Sequence, residues 1–270
     1  MTMLSDAAVA LRDVAEAGSD APVSESAVHQ EQPAEDVSHA PFTLLIDVGA
    51  RSIRSLLIDG NGTPSGKRQR QEIERPIQPS SVLAAIKKLI PDTTFTQISV
   101  CVPGAVKQGV IQASSGLGCS MIDFDLQREL AQAFERPVRV RSKAEWLGLG
   151  VVRGEGTELV LTLGKTLGVA VFFDGKLIPN VDLSQQLLRK SKTYQQCICS
   201  AARKKLGARK WSRMVRRAMA QLQSLLSPQR IYLYGCEISA LKGKLPDGVE
   251  HIEDKQALRT VVSDWDRNPS

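Results

Sequence analysis

The stretch Val138–Gly150, VRVRSKAEWLGLG, alternates valine and arginine over four residues and then turns helical at Ser142. The end of a strand at the mouth of a sheet is where α/β enzymes commonly keep a working carboxylate. This chain places Ser142 and Lys143 there. A lysine is cationic near neutral pH unless strongly desolvated, so it cannot take a proton from a substrate hydroxyl. The nearest acid is Glu145, two residues on, which could serve as a displaced general base. Ser142-Lys143-Ala144-Glu145 is equally a Ser-x-x-Glu capping box, in which both side chains satisfy N–H groups of a helix start. An ordinary helix start and an active site that has lost its acid both remain open.

Other chemistry-bearing residues are fewer. The cysteines are Cys101, Cys119, Cys197, Cys199 and Cys236, an odd number in mostly apolar or helical surroundings. That pattern fits a reducing compartment without a disulfide framework. Cys197 and Cys199 could offer two soft ligands, but a zinc site needs about four. His29, His39 and His251 are remote from them in sequence, so no metal site of this kind is expected. Charge is unevenly distributed. The whole chain carries +6, yet residues 1–40 hold eight acids and one base, leaving +13 on the remainder. Leu183–Cys236 contains twelve Lys or Arg and no Asp or Glu. Arg213, Arg216 and Arg217 are explained by the solvated face of a helix. Arg189, Lys190, Lys192, Arg203, Lys204, Lys205, Arg209 and Lys210 are denser, and suit a surface for polyphosphate, for nucleic acid or for the acidic tail. Only Tyr194 and Trp211 are interleaved, which speaks against stacking of single-stranded bases.

These residues need a scaffold. Hydrophobic residues are 42%, charged residues 24% and aromatics 4%, so a core of Leu, Val, Ile and Ala in a globular chain is expected. No window approaches the ~18 apolar residues of a membrane span. MTMLSDAAVALRDVAEAGSD has acids in its apolar run and no basic leader, so a cytoplasmic location is expected. Residues 1–40 predict a disordered acidic tail. FTLLIDVGARSIRSLLIDGNGTP predicts two strands around a glycine turn, Leu44–Asp47 and Ser52–Ile58, and the pattern returns as Leu159–Leu163 and Val169–Phe173 around Gly164–Gly168. A helix capped by Ser80 or Ser81, a strand ending at Pro103-Gly104, a helix carrying Leu126, Leu130 and Phe134, and a strand Val138–Val140 fill the space between. From Trp211 an apolar stripe through Leu225 and Leu226 predicts a helix ended by Pro228, then a strand and another helix after Gly235. The echo implies two similar α/β halves, 41–137 and 138–270, with a cleft between them.

Taken in order, LLIDVGARSIRSLLIDG, VPGAVKQGVI, RPVRVRSKAEWLGLG, LTLGKTLGVAVFFDGKLIPN and SLLSPQRIYLYGCEIS resemble the ROK sugar kinases, over roughly Phe42 to Val262. The polyphosphate glucokinases are the subgroup they resemble most. The resemblance implies a two-lobed hexokinase/actin ATPase-like (ribonuclease H-like) fold. It also implies ATP or polyphosphate as donor, with Mg²⁺, if the protein is active. Asp47 and Gly49 fit the family's first phosphate loop, Gly164, Lys165, Thr166 and Gly168 fall in its second, and Gly235 is what survives of its glycine exit near the C-terminus. Arg54 stands where a lysine is expected, Ala50 replaces a second glycine, and the middle glycine of the second loop is missing. The family's sugar-holding asparagine and catalytic aspartate correspond to Ser142 and Lys143. Its Glu-Leu-Gly-His segment corresponds to Asp182-Leu183-Ser184-Gln185, which implicates Asp182 and Gln185 in whatever remains of a sugar site. Gly116–Ser120 lacks the asparagine usual there. Loss of general-base help alone costs about 10²–10⁴ in rate. The expected function is therefore a degenerate kinase that retains phosphate-chain or nucleotide binding. An active phosphotransferase on an altered acceptor and a regulatory protein for a polyanion or protein partner are the alternatives. Sugar binding is doubtful, no membrane contact is expected, and a homo-oligomer is compatible with the sequence. The tail is too poor in apolar spacing for a DNA-binding helix-turn-helix.

Overall fold

A computed structural model describes residues 42–113, 116–179 and 181–267. The acidic tail, residues 1–40, lies outside the described residues. The chain opens with the antiparallel pair β1 (Thr43–Val48) and β2 (Ser52–Ile58), then β3 (Pro64–Glu72), α1 (Pro79–Lys87), β4 (Gln97–Val102), a small hairpin β5 (Ala105–Lys107) and β6 (Val110–Ala113), α2 (Leu126–Phe134) and β7 (Val138–Ser142). Then come α3 (Lys143–Val151), β8 (Thr157–Leu163), β9 (Leu167–Phe173), β10 (Lys176–Ile178), a two-stranded ribbon β11 (Leu187–Arg189) and β12 (Lys192–Thr193), α4 (Tyr194–Ile198), α5 (Ser200–Leu226), β13 (Arg230–Tyr234), β14 (Val249–His251) and α6 (Asp254–Arg267).

Two five-stranded sheets result, ordered β3-β2-β1-β4-β7 and β10-β9-β8-β13-β14. In each, the first strand in chain order lies at the centre. The next two run antiparallel on one side, and two parallel strands follow on the other. The repeated topology follows from the repeated local signal, an apolar strand that meets a glycine turn and folds straight back. Each sheet has its own core. Ile46, Ile98, Val82 and Leu130 belong to the first, and Leu161, Leu233, Trp211 and Met219 to the second. Between the sheets lies a third core in which Leu147 and Ala144 of α3 and Val261 of α6 meet Leu45, Leu56, Phe172 and Tyr232. Each of the valine, leucine and phenylalanine side chains here contributes about 1.5–3 kcal/mol when fully buried.

Several expectations are corrected. β7 pairs with β4 as the edge of the first sheet, so the change of sheet falls at Ser142/Lys143 rather than at 137/138. α1 starts at Pro79 after Gln78, and Ser81 Oγ accepts from the Gln78 N–H at 3.0 Å instead of capping from outside. The basic helix begins at Ser200, breaks at Gly207 (φ 74°) and leaves Leu225 65% exposed, off the buried stripe. After Gly235 only a 3-10 turn forms, Ile238–Ala240. α6 and the polar strand β3 were not anticipated. No helix among the described residues is long and apolar enough to cross a membrane.

Candidate phosphate-binding cleft

The carboxyl ends of β1, β4, β7, β8 and β13 converge on a cleft of about 360 Å³ between the sheets. Open α/β folds bind ligands in this kind of place, because strand ends release the chain into loops there. The first glycine turn is tight. Gly49 donates its N–H to the Ser52 carbonyl at 3.0 Å, and a Cβ at Gly49 would press on that same oxygen. The second loop is held from behind. Ser200 N–H donates to the Gly164 carbonyl at 2.7 Å, Gln195 Nε2 donates to the Lys165 carbonyl at 3.0 Å, and Gly168 N–H donates to Thr162 Oγ1 at 3.0 Å. Gly235 has φ 127°, and any Cβ there would overlap the Leu163 carbonyl. Gly49, Gly164, Lys165, Thr166, Gly168 and Gly235 thus line one cleft.

Asp47 stands at its centre. β1 sets Asp47 opposite Arg54 on β2 and beside Cys101 on β4. Arg54 Nη1 lies 3.6 Å from Asp47 Oδ2, and Lys143 Nζ approaches the same oxygen to 3.5 Å. The Cys101 thiol donates to the other oxygen at 3.4 Å. Burial by itself pushes the Asp47 carboxyl up, but Lys143, Arg54, the Cys101 thiol and Arg68 together hold it below the ordinary value. Burial, with the Asp47 charge close by, pushes the Cys101 thiol well up. Arg68 is brought down to about 10, mainly by burial and then by Arg54, so it remains charged at neutral pH. Lys143 Nζ also lies 5.9 Å from the Tyr234 ring centroid.

Arg51 and Arg70 line the cleft as well, giving five cations on its wall against one carboxylate among the described residues. Arg51, Arg68, Arg70, Cys101 and Tyr234 were missed from sequence. A legible signal existed for two of them, since Arg68 and Arg70 alternate in GKRQRQ, and alternation puts both on one face of a strand.

The sugar-side residues fare differently. Ser142 and Glu145 form the capping box, with Glu145 Oε2 accepting from the Ser142 N–H at 3.0 Å and Ser142 Oγ accepting from the Glu145 N–H at 3.3 Å. Burial pushes the Glu145 carboxyl up against these hydrogen bonds and Arg141. Glu145 is absent from the cleft wall. It borders a separate cavity of about 10 Å³ with Ser142, Asp182 and Ser184, and a second pocket of about 560 Å³ with Gln127, Arg139 and Arg141. Asp182 is engaged locally, its Oδ1 accepting from the Ser184 N–H at 2.8 Å, and Gln185 is exposed, outside both the cleft and the small cavity. A space of 10 Å³ is about that of one water molecule.

The Mg²⁺ ion that the resemblance implies does not fit this donor set. Mg²⁺ is held by one or two carboxylates together with phosphate oxygens and waters. The one carboxylate on the cleft wall among the described residues already faces two cations. Nor does any group of three or more His, Cys, Asp or Glu elsewhere among the described residues suit a metal, and all five cysteines are free.

Two sheets of one topology, enclosing a cleft that receives glycine turns from both, define the two-lobed hexokinase/actin ATPase-like class. Within it the chain belongs to the ROK family, whose model matches residues 43–182. The polyphosphate glucokinase of Mycobacterium leprae (strain TN) is 26% identical over 204 residues, which are 72% of this chain and 63% of that protein. The crystal structure of the inorganic polyphosphate/ATP-glucomannokinase from Arthrobacter sp. strain KM superposes with a TM-score of 0.71 at 23% identity, covering 84% of this chain and all (100%) of that one. A ROK family transcriptional regulator, a homologue of the E. coli MLC protein, matches with a TM-score of 0.64 at 15% identity, over 83% of this chain and 80% of its own. At these identities the two structural matches speak to the fold.

Proposed function

We propose that this ROK protein is catalytically degenerate and binds a phosphate chain, inorganic polyphosphate or the polyphosphate of a nucleotide, in the cleft between its sheets. One observation carries the reading: at the end of β7, where the family resemblance calls for a general base, the cationic Lys143 Nζ lies 3.5 Å from Asp47. A group in that state repels a proton and attracts phosphate oxygens. The cationic wall and the 10 Å³ cavity beside Ser142 and Asp182 support the same reading. The proposed contacts are Gly49 and Arg54 on one side and Gly164, Lys165, Thr166, Gly168 and Gly235 on the other, with Asp47 holding Arg54 and Lys143 in place between them. The test is glucose-6-phosphate formation from glucose with Mg²⁺ and either ATP or polyphosphate, beside a Lys143→Asp variant. We expect no turnover by the unaltered protein, and turnover by it would end the proposal and turn attention to Glu145 as the replacement base.

A second reading has its own support. The β11–β12 ribbon and the first turns of α5 expose Arg189, Lys190, Lys192, Lys204, Lys205, Arg209 and Lys210. Such a surface suits a polyanion partner, and steep weakening of binding with salt is its expected signature.

A further inference from the structure

If the cleft takes a phosphate chain, its wall has a consequence for the form of that ligand. In a metal-dependent site, carboxylates hold the divalent ion and the ion neutralises the phosphates. Here that arrangement is inverted. Asp47 is the one cleft carboxylate among the described residues, and its Oδ2 is shared by Lys143 Nζ at 3.5 Å and Arg54 Nη1 at 3.6 Å. A divalent ion at this carboxylate would sit within a few ångströms of an ammonium and a guanidinium, and like charges that close repel strongly in a partly desolvated cleft. Side-chain cations meanwhile line both faces: Arg51, Arg54 and Arg70 from the first sheet, Lys143 between the sheets, and Lys165 from the second glycine loop. Arg68 lies close enough to Arg54 and Arg70 for their charges to add to burial in lowering its own pKa.

We infer that the cleft binds its oligophosphate bare, without a divalent cation, with Lys143 and Arg54 supplying the charge that a metal ion would otherwise bring. This rests on the phosphate-binding reading above. A phosphate chain loses two negative charges when it takes up Mg²⁺, so the ion should compete with the protein for the ligand. Asp47 then acts as a brace for Lys143 and Arg54 rather than as a metal ligand, and its negative charge works against the incoming anion.

Calorimetric titration of the full chain with inorganic tripolyphosphate, in EDTA and again with excess MgCl₂, tests this. The expected result is binding in EDTA that weakens by about fivefold or more when Mg²⁺ is added, since the ligand's charge falls. Asp47→Asn should tighten binding in EDTA by about threefold or more, because one repulsive charge disappears from the wall. Lys143→Asp should bind poorly in EDTA and better with Mg²⁺, since two neighbouring carboxylates recreate a place for the ion. Binding that requires Mg²⁺, or that is lost in Asp47→Asn with its fold intact by circular dichroism, overturns the inference and leaves phosphate binding standing. Absence of binding under both conditions overturns phosphate binding and this inference together.

Discussion

Asp47 is buffered by groups of three kinds: an ammonium, a guanidinium and a thiol. Their combined pull outweighs its desolvation, so its folded-state pKa lies below the reference value of 3.8. A depressed carboxylate stabilises the fold above its unfolded pKa, and the contribution is lost as pH falls through the folded value. Asp47→Asn is therefore expected to cost about 1–2 kcal/mol at neutral pH, discounted for the partial exposure of the group. In chemical denaturation its deficit should shrink steadily below pH ~4 as the native carboxylate protonates. The same change should improve anion binding, so stability and affinity would move in opposite directions. Glu145 offers a contrast. Its carboxylate is buried and desolvated, and an amide oxygen at that position can still accept the Ser142 N–H. Glu145→Gln should leave the melting temperature nearly unchanged, whereas Ser142→Ala should cost about 1 kcal/mol through loss of the cap. The capping box was readable from four residues because its partners are local in sequence. The triad of Asp47, Lys143 and Cys101 was not, because its members come from β1, from the first residue of α3 and from β4, which only the folded sheet brings together.

At the scale of elements, the hairpins β1–β2 and β8–β9 were legible because a short apolar run, a glycine turn and a second apolar run leave little other choice. β3 escaped notice since PSGKRQRQE has no buried face and depends on β2 for its pairing. α6 escaped for a similar reason: its apolar residues are few, and they make sense only against α3 and the first sheet. α3 itself explains the two glycines of WLGLG. A Cβ on Gly148 would overlap the Phe172 ring, and one on Gly150 would overlap Thr260 of α6. Close approach, rather than an unusual backbone angle, requires glycine at both sites. Gly150→Val should therefore cost about 1–3 kcal/mol by overpacking, read as a shift of the urea midpoint with the slope unchanged. A neutral result would mean that α6 can move off α3 freely.

Across the whole molecule, the chain crosses between sheets twice, once at Ser142/Lys143 and again when α6 returns from the second sheet to the first. The return is fastened by a buried carboxylate. Asp264 has a fully buried residue environment (0% exposed), and it meets Arg141 through Nε at 2.9 Å and Nη2 at 2.8 Å, with Arg139 Nη1 at 3.6 Å. Trp265 reinforces the contact, stacking under the Arg139 guanidinium at 4.0 Å and donating its indole N–H to Ser99 Oγ at 2.8 Å. Sequence reasoning found the two arginines of VRVRS but not their partner, because 123 residues separate Arg141 from Asp264. Lys143 follows β7 directly as the first residue of α3, so the fastening that steadies β7 also sets where that ammonium stands. Replacing Asp264 with alanine leaves two partly buried guanidinium groups facing each other, and the expected loss is about 3–5 kcal/mol. Arg139→Ala should cost less, because Asp264 keeps its two-nitrogen contact with Arg141. Denaturation of both variants, alone and combined, separates the pair from the repulsion it suppresses. If α6 couples the lobes, Asp264→Ala should also weaken tripolyphosphate binding, although Asp264 does not line the cleft. Unchanged affinity beside a large loss of stability would show that β7 holds Lys143 in place without help from the C-terminal helix.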